Sequence, residues 1–487
     1  MFRLRSFFLR LLYPEAPTMG YLKTARYPLA VLGAFTCVAI LLTYPSLQAS
    51  SGLRLLPYQS NATQSTEPLS LHCQPPSADA NSSDLKHTTI PSGAHVHGFT
   101  VLDNIYLRNG TFYVVTMDRS TFPPRNRMLS RPIKLGSKDM EPTDEHLQFI
   151  SPEEVTDFLG TSITHIEGFS VIVYDPAEFM KHFYHWFGEI ILGFWRVYSH
   201  ILLDPHRAPT ALPLPRRFIL PFIHNEEWRD KAGVDGPLMR AAFPAAAIEE
   251  SGYWKDLAKL GTTVVFERII LVNRDRAHKH PFGGVWYKMI AGAMNVSAPP
   301  DFWAPVRTSL WRNTLGAVPV AENTIHRPPL VTYISRQGGG RRLVAEDHDA
   351  LVAALRALEA DGVCEFQLAA MERIPMREQI ELVSRSTILV GVHGNGLTHQ
   401  LWMPPSPLSA TIEILVPKGY AFDYEMLARN MGHRHYAVWN DTFLTYGSGT
   451  YHKGVSYPDG FHGIIPVHGP TVAGIVRDRL SQFVPVG

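Results

Sequence analysis

Only three cysteines occur in 487 residues, and one of them, Cys37, lies inside an apolar run. Cys73 and Cys364 are therefore the one pair that an oxidising compartment could join, which excludes a disulfide-stapled scaffold. Neither Cys-x-x-Cys nor a helical His-Glu-x-x-His is present, so the common zinc-ligand spacings are missing. Net charge is nearly absent too. A formal value of +1 gives no field of one sign to draw nucleic acid or an anionic surface. No internal repeat divides the chain. What remains is globular composition, with 45% hydrophobic and 18% charged residues, long enough for two or three domains.

The N-terminus differs from the rest. Arg3, Arg5, Arg10, Lys23 and Arg26 precede an uncharged apolar stretch over residues 28–44. At about 1.5 Å per helical residue this lies at the short end of what crosses a bilayer. Positive charge on its N-terminal side predicts a cytoplasmic tail, residues 1–27, and a lumenal body. The long basic region and the lack of an Ala-x-Ala site favour an uncleaved signal-anchor over a removed signal peptide. Residues 45–95, rich in Ser, Pro, Thr and Asn, read as a lumenal stem. Five Asn-x-Ser/Thr acceptors, at Asn61, Asn81, Asn109, Asn295 and Asn440, agree with a body in the secretory pathway. Val484-Pro-Val-Gly487 is not a Lys-Asp-Glu-Leu-type retrieval signal, which favours the Golgi membrane over the endoplasmic reticulum.

Beyond the stem, an Asn109-Gly110 turn predicts a hairpin over 104–115. Apolar runs at 171–174, 217–223 and 264–272 alternate with helical stretches, including 177–198 and 301–315. This gives an N-terminal α/β domain over 96–315. Residues 316–329 hold three prolines and read as a linker. A second domain over 330–440 alternates more cleanly. Its strands are expected at 330–335, 363–367, 387–392, 411–416 and 435–439, and its helices near 347–359, 375–385, 397–403 and 422–430. Such alternation implies a parallel, doubly wound sheet with ligands beyond the strands' carboxyl ends. The tail, 441–487, could wrap back over either domain.

Four blocks carry candidate chemistry. The run His393-Gly394-Asn395-Gly396-Leu-Thr398 follows an apolar strand and opens a short helix, so its backbone N–H groups suit a diphosphate; many such turns need glycine for geometry alone. Ser335-Arg336-Gln-Gly-Gly-Gly-Arg341-Arg342 also follows a strand, and guanidinium groups grip phosphate bidentately; its plain alternative is a solvated basic turn. Glu413, inside the apolar strand Thr411–Val416, needs a partner to be buried, for which a ribose diol and a neighbouring arginine are both suitable. His185 and Glu189 are four apart and share a helical face, so the carboxylate could orient the imidazole as a general base. A metal held by His182, His185 and Glu189 lacks the usual helical spacing, and a core histidine is the structural alternative. Asp347-His-Asp349 is formally a cation-binding Asp-x-Asp, but it directly precedes an apolar helical run and reads as acidic capping.

Together these blocks resemble glycosyltransferase family 61, over roughly residues 165 to 440. The resemblance rests on the histidine block ending Met403-Pro404-Pro405, on Tyr333-Ile-Ser335-Arg336…Arg341, and on Glu413-Ile with Pro417. Tyr184-His185…Glu189 is a shorter match. It implies a GT-B fold, two Rossmann-like domains facing a cleft, and inverting transfer from a UDP-sugar without an Asp-x-Asp metal or other cofactor. Carried onto this chain, Ser335, Arg336, Arg341 or Arg342, the 393–396 loop and Thr398 contact the nucleotide-sugar, Glu413 the ribose, and His185 with Glu189 the acceptor. Asn395, Ala345 and His182 depart from the family's usual residues. The expected donors are UDP-xylose, placed slightly ahead, and UDP-N-acetylglucosamine. The acceptor is a glycan or glycoprotein hydroxyl. Rival readings are a catalytically silent nucleotide- or glycan-binding protein of the same fold, and a metal-dependent GT-A-type transferase using Asp347 and Asp349.

Overall fold

A computed structural model describes residues 86–205, 211–319 and 328–482. The apolar stretch 28–44, Cys73, the acceptors Asn61 and Asn81 and most of the expected linker lie outside these residues. Among the described residues no helix is long and apolar enough to cross a membrane. Asp79–Gly487 forms one compact unit, built on two sheets.

The first sheet comprises β1 (His95–Val96), β2 (Phe99–Arg108), β3 (Thr111–Val115), β4 (Leu147–Ile150), β5 (Ile163–Val173), β6 (Arg217–Ile219), β7 (Ala247–Glu249) and β8 (Thr263–Val272). Its order is β4-β3-β2-β8-β5-β6-β7, with β1 on β2. The β2–β3 hairpin turns at Asn109 and Gly110, both at positive φ, the conformation that matches strand twist. β8, β5, β6 and β7 are mutually parallel, whereas β2 is antiparallel to both β3 and β8. Only half of this sheet therefore has the parallel pattern expected of a Rossmann-like domain. Residues assigned to the stem by composition already run along β2: Thr89 pairs with Asp103, and β1 pairs with β2.

The second sheet holds β9 (Leu330–Ile334), β11 (Glu365–Ala369), β12 (Ser386–Val392), β13 (Ala410–Ile414), β14 (Arg434–Trp439) and β15 (Thr442–Leu444); β10 (Arg342–Leu343) pairs separately with β16 (Ile464–Ile465). The order β11-β9-β12-β13-β14-β15 is parallel throughout except at β15. Counted along the chain, the five parallel strands run 2-1-3-4-5, a doubly wound order whose direction of winding reverses between β9 and β12. Every residue of β9 and β13 is buried, as expected of strands covered on both faces. Leu351, Leu355 and Leu358 of the helix Ala345–Ala360 pack with Val472, Val476 and Leu480 of the helix Gly469–Ser481 on one face. The helices Met376–Arg385, Asn395–Trp402 and Asp423–Met431 cover the other. The tail is thus a layer of the second sheet.

One hydrophobic cluster runs through both halves. Phe187 lies edge-on to Trp402 at 5.5 Å, and the Trp303 indole donates to the carbonyl of Leu401 at 2.9 Å. The helix expected over 177–198 begins only at Tyr184. Before it, Phe179 stands at φ 66°, a conformation that no helix accepts. The chain then widens into a π-helix, Tyr184–Ile191, before continuing as the α-helix Leu192–Ser199.

Candidate active site

The loops leaving β9 and β12 emerge where the winding reverses, the place where open α/β sheets bind ligands. After β12, Gly394 takes φ 150°, a conformation that suits glycine alone. A Cβ there would lie 1.5 Å from Nη1 of Arg336, so the missing side chain makes room for a guanidinium. Arg336 and Arg341 both donate to the carbonyl of His393, at 2.8 and 2.6 Å. Arg341 also donates to the Phe461 carbonyl at 3.1 Å, bonds His462 and lies over the Phe461 ring. Burial and the neighbouring Arg336 push its pKa down. Two like charges are thus held together at one strand end. Arg342, the other arginine considered, is exposed and reaches only the Gly339 carbonyl. Ser335 follows the last residue of β9, and its N–H donates to the Ala369 carbonyl. Asn395 accepts from the Tyr184 N–H at 3.3 Å, and Gly396 packs against Ile334. The Thr398 hydroxyl is buried without a protein partner among the described residues.

Glu413 has partners other than the two considered from the sequence. It is fully buried, and its partner is neither an arginine nor an open cleft. One carboxylate oxygen bonds Nδ1 of His393 and the other bonds Nε2 of His435 at 2.8 Å. Gly391 and Ala437, its register neighbours on β12 and β14, show why: Glu413 sits on a central strand, where both oxygens are consumed by imidazoles. In this arrangement neither oxygen is left over for a ribose hydroxyl.

The π-helix, a form that recurs at functional sites, meets the glycine loop through the bond from the Tyr184 N–H to Asn395. His185 Nδ1 and Glu189 Oε2 lie 2.7 Å apart. The same oxygen accepts from Arg274 at 2.5 Å, and Oε1 accepts from the Met289 N–H at 3.0 Å. Burial alone would raise the Glu189 carboxyl, but Arg274 and then His185 hold it well below the carboxylate range. Glu189 is therefore a saturated anion and cannot itself take a proton. It fixes His185 as the Nδ1–H tautomer, leaving Nε2 as the proton acceptor. The pair thus bonds internally, and among the described residues no group of three His, Cys, Asp or Glu side chains is arranged to hold a metal.

Between these elements lies a buried pair that the sequence did not disclose: Lys288 Nζ meets Asp423 Oδ2 at 2.6 Å. Against the effect of burial, Lys288, His393 and His185 hold the Asp423 carboxyl down, so both imidazoles are within electrostatic reach of it. Tyr184 and Tyr424 are edge-on at 5.6 Å, and Tyr424 is edge-on to His393 at 5.2 Å. Lys288 and Asp423 are 135 residues apart in the chain, and neither sits in a recognisable pattern. Arg274 did carry a signal, in the charged run Arg274-Asp275-Arg276 directly after the apolar β8.

Asp347 lies in the first turn of its helix, where its negative charge suits the N-terminus, but it makes no capping hydrogen bond. The helix Ala345–Ala360 has no side-chain cap, and the Asp347 carboxylate instead accepts from the Val467 N–H at 2.9 Å. It tethers the returning C-terminal segment, while Asp349 is exposed. Of the glycosylation acceptors, Asn109 is exposed at the hairpin turn and Asn440 follows β14 at positive φ.

Residues 183–410 match the family model described as Glycosyltransferase 61. An EGF domain-specific O-linked N-acetylglucosamine transferase from Drosophila melanogaster is 34% identical over 125 residues, which are 25% of this chain and 22% of that protein. The chain thus aligns with about a fifth of that relative's length.

Proposed function

We propose, from the match of residues 183–410 to the glycosyltransferase 61 family model, that this chain transfers a sugar from a UDP-sugar to a glycan or glycoprotein hydroxyl. The observation that carries the reading is that Arg336 and Arg341, paired on the His393 carbonyl, and the His185–Glu189 dyad lie on segments tied to each other by the bond from the Tyr184 N–H to Asn395. Held cations stabilise the charge that grows on a departing diphosphate. An imidazole whose Nδ1 is fixed by a carboxylate takes the proton of the attacking hydroxyl at Nε2. Attack from one side with departure on the other inverts the anomeric carbon. This reading treats the two halves as the lobes of a GT-B enzyme, with no metal required at the diphosphate.

UDP-N-acetylglucosamine and UDP-xylose are the two donors to compare, and the transferase named for the Drosophila relative puts the first at the head of the panel. The reading places the body in the Golgi lumen on an N-terminal anchor. Protease protection in sealed microsomes checks that placement: digestion of the body from outside rejects it.

The test is a screen of the full chain against UDP- and GDP-sugars, with and without EDTA, reading thermal shift and nucleotide release. One UDP-sugar should stabilise the protein and release UDP slowly, with EDTA having no effect. Stabilisation that never leads to release or transfer, even with acceptor mixtures, would mark a silent binding protein. Arg336→Ala should weaken UDP binding by about 10- to 150-fold, the loss of one charged hydrogen bond, with an unchanged circular dichroism spectrum. Unaltered UDP affinity removes the arginine from the site.

A further inference from the structure

The site holds a second imidazole–carboxylate dyad that the mechanism above does not use. His393 gives Nδ1 to the buried Glu413, and Glu413 is braced from behind by His435. The ring is set between Tyr424 and Phe461, each edge-on at 5.2 Å, which fixes its plane. No hydrogen-bond partner meets Nε2 among the described residues. The backbone carbonyl of His393 is the one that Arg336 and Arg341 share, so the imidazole belongs to the residue on which the cations converge. His185–Glu189 repeats the same construction, Nδ1 on a buried carboxylate, from the other sheet's helix. Asp423 feels both rings.

Resting on the transferase reading, we infer that His393 is the general acid that protonates the departing diphosphate, with Glu413 as its positioning residue. In the step, the acceptor O–H loses its proton to Nε2 of His185 as its oxygen bonds the anomeric carbon. The bond from that carbon to the β-phosphate oxygen breaks, and its electron pair stays on the oxygen. Nε2–H of His393 gives that oxygen a proton. One proton enters the protein at His185 and one leaves at His393, and exchange with water resets both. The charged and titratable groups facing His393 are Arg336 and Arg341 from the loop after β9, Glu413 backed by His435 from the sheet, and Asp423 and Tyr424 from the helix Asp423–Met431. Burial raises the Glu413 carboxyl, against the lowering effect of its bond from His393. The phosphate charges of a bound donor draw a proton to Nε2, so the proposed step couples proton uptake to diphosphate binding.

His393→Asn separates the roles, because an asparagine amide can keep the donation to Glu413 while lacking Nε2. The wild-type kcat/KM profile should be bell-shaped. His393→Asn should lose the alkaline limb and about 100-fold or more in kcat, with donor KM within a few-fold of wild type. Glu413→Gln should keep both limbs and move the alkaline one to lower pH. An intact alkaline limb in His393→Asn overturns the inference, as does a loss confined to KM. UDP binding supplies a readout independent of turnover: calorimetry in buffers of different ionisation enthalpy should show proton uptake in wild type and none in His393→Asn. Equal uptake in both rejects the role. Absence of turnover by the wild type with every UDP-sugar and acceptor would instead count against the transferase reading itself.

Discussion

A single carboxylate, Glu189, satisfies a guanidinium, a backbone N–H and an imidazole at once, and its removal should be felt in both stability and rate. Glu189→Gln leaves Arg274 buried with an uncompensated charge, at a cost of about 3–5 kcal/mol. It also releases His185 from its tautomer, which should lower kcat by about 100- to 10,000-fold. Urea unfolding and steady-state kinetics check the two effects separately. A rate loss without a stability loss would mean that the Arg274 pair is not formed. Gly394→Ala acts differently. The added methyl falls on the Arg336 guanidinium and the backbone is strained at φ 150°, so UDP affinity should fall at least as far as in Arg336→Ala. At this scale the sequence disclosed the residue types but not their partners. His185 with Glu189 was legible because four-residue spacing alone sets the contact. The Glu413 partners were not, because imidazoles from β12 and β14 reach it only through the parallel register.

At the scale of elements, the second sheet was legible because each strand is a short apolar run between helices, and five strands fell within two residues of their predicted ends. The first sheet was less so. β4 and β7 are four and three residues long, too short for alternation to register, whereas β6 fell inside the apolar run at 217–223. Nor does hydrophobic pattern distinguish the antiparallel join of β2 to β8 from a parallel one. The C-terminal segment was underrated for a related reason: β16 has two residues, and the helix Gly469–Ser481 earns its place by contact with Ala345–Ala360. That contact is close. A Cβ on Gly469 would stand 2.8 Å from the Ala350 backbone, where neither neighbour can yield cheaply. Gly469→Ala should therefore destabilise the protein by about 1–3 kcal/mol through overpacking, read as a lower urea midpoint at unchanged slope. Asp347→Asn, which keeps an oxygen for the Val467 N–H, should cost under about 1 kcal/mol. Its turnover should remain insensitive to EDTA, and a metal-dependent loss there would revive the Asp-x-Asp reading.

Across the whole molecule the two sheets are joined by a common hydrophobic core and by polar ties that cross between them, Lys288 to Asp423, Arg196 to Asn430 and Asn395 to Tyr184. A linker-separated pair of domains would melt in two steps, whereas this construction predicts one cooperative transition. Its pH dependence is set first by histidines. Burial holds His399 and His433 down to about 4, against about 6.5 in an unfolded chain. Between those values each of these rings binds more protons unfolded than folded, so their contribution is full above about pH 6.5 and falls as the pH drops toward 4. Asp175, raised by burial to about 7, acts with the opposite sign. Each histidine contributes a slope of about 1.4 kcal/mol per pH unit in that window. Glu189 and Asp423 act lower: their depressed carboxyls stabilise above the ordinary carboxylate range and are lost only as the pH falls through it. Acid loss should thus come in two stages, the first beginning near neutrality. Urea midpoints at half-unit steps from pH 7.5 to 4 would resolve them, those limits being about one unit outside the histidine window at its upper end. His433→Gln should be less stable than wild type at the upper limit, for want of its bonds to Ser409 and Gln400, yet decline less steeply below it. A decline as steep as wild type would mean that His433 carries its proton in the folded protein, and that the buried ring is paired with a charge outside the contacts described.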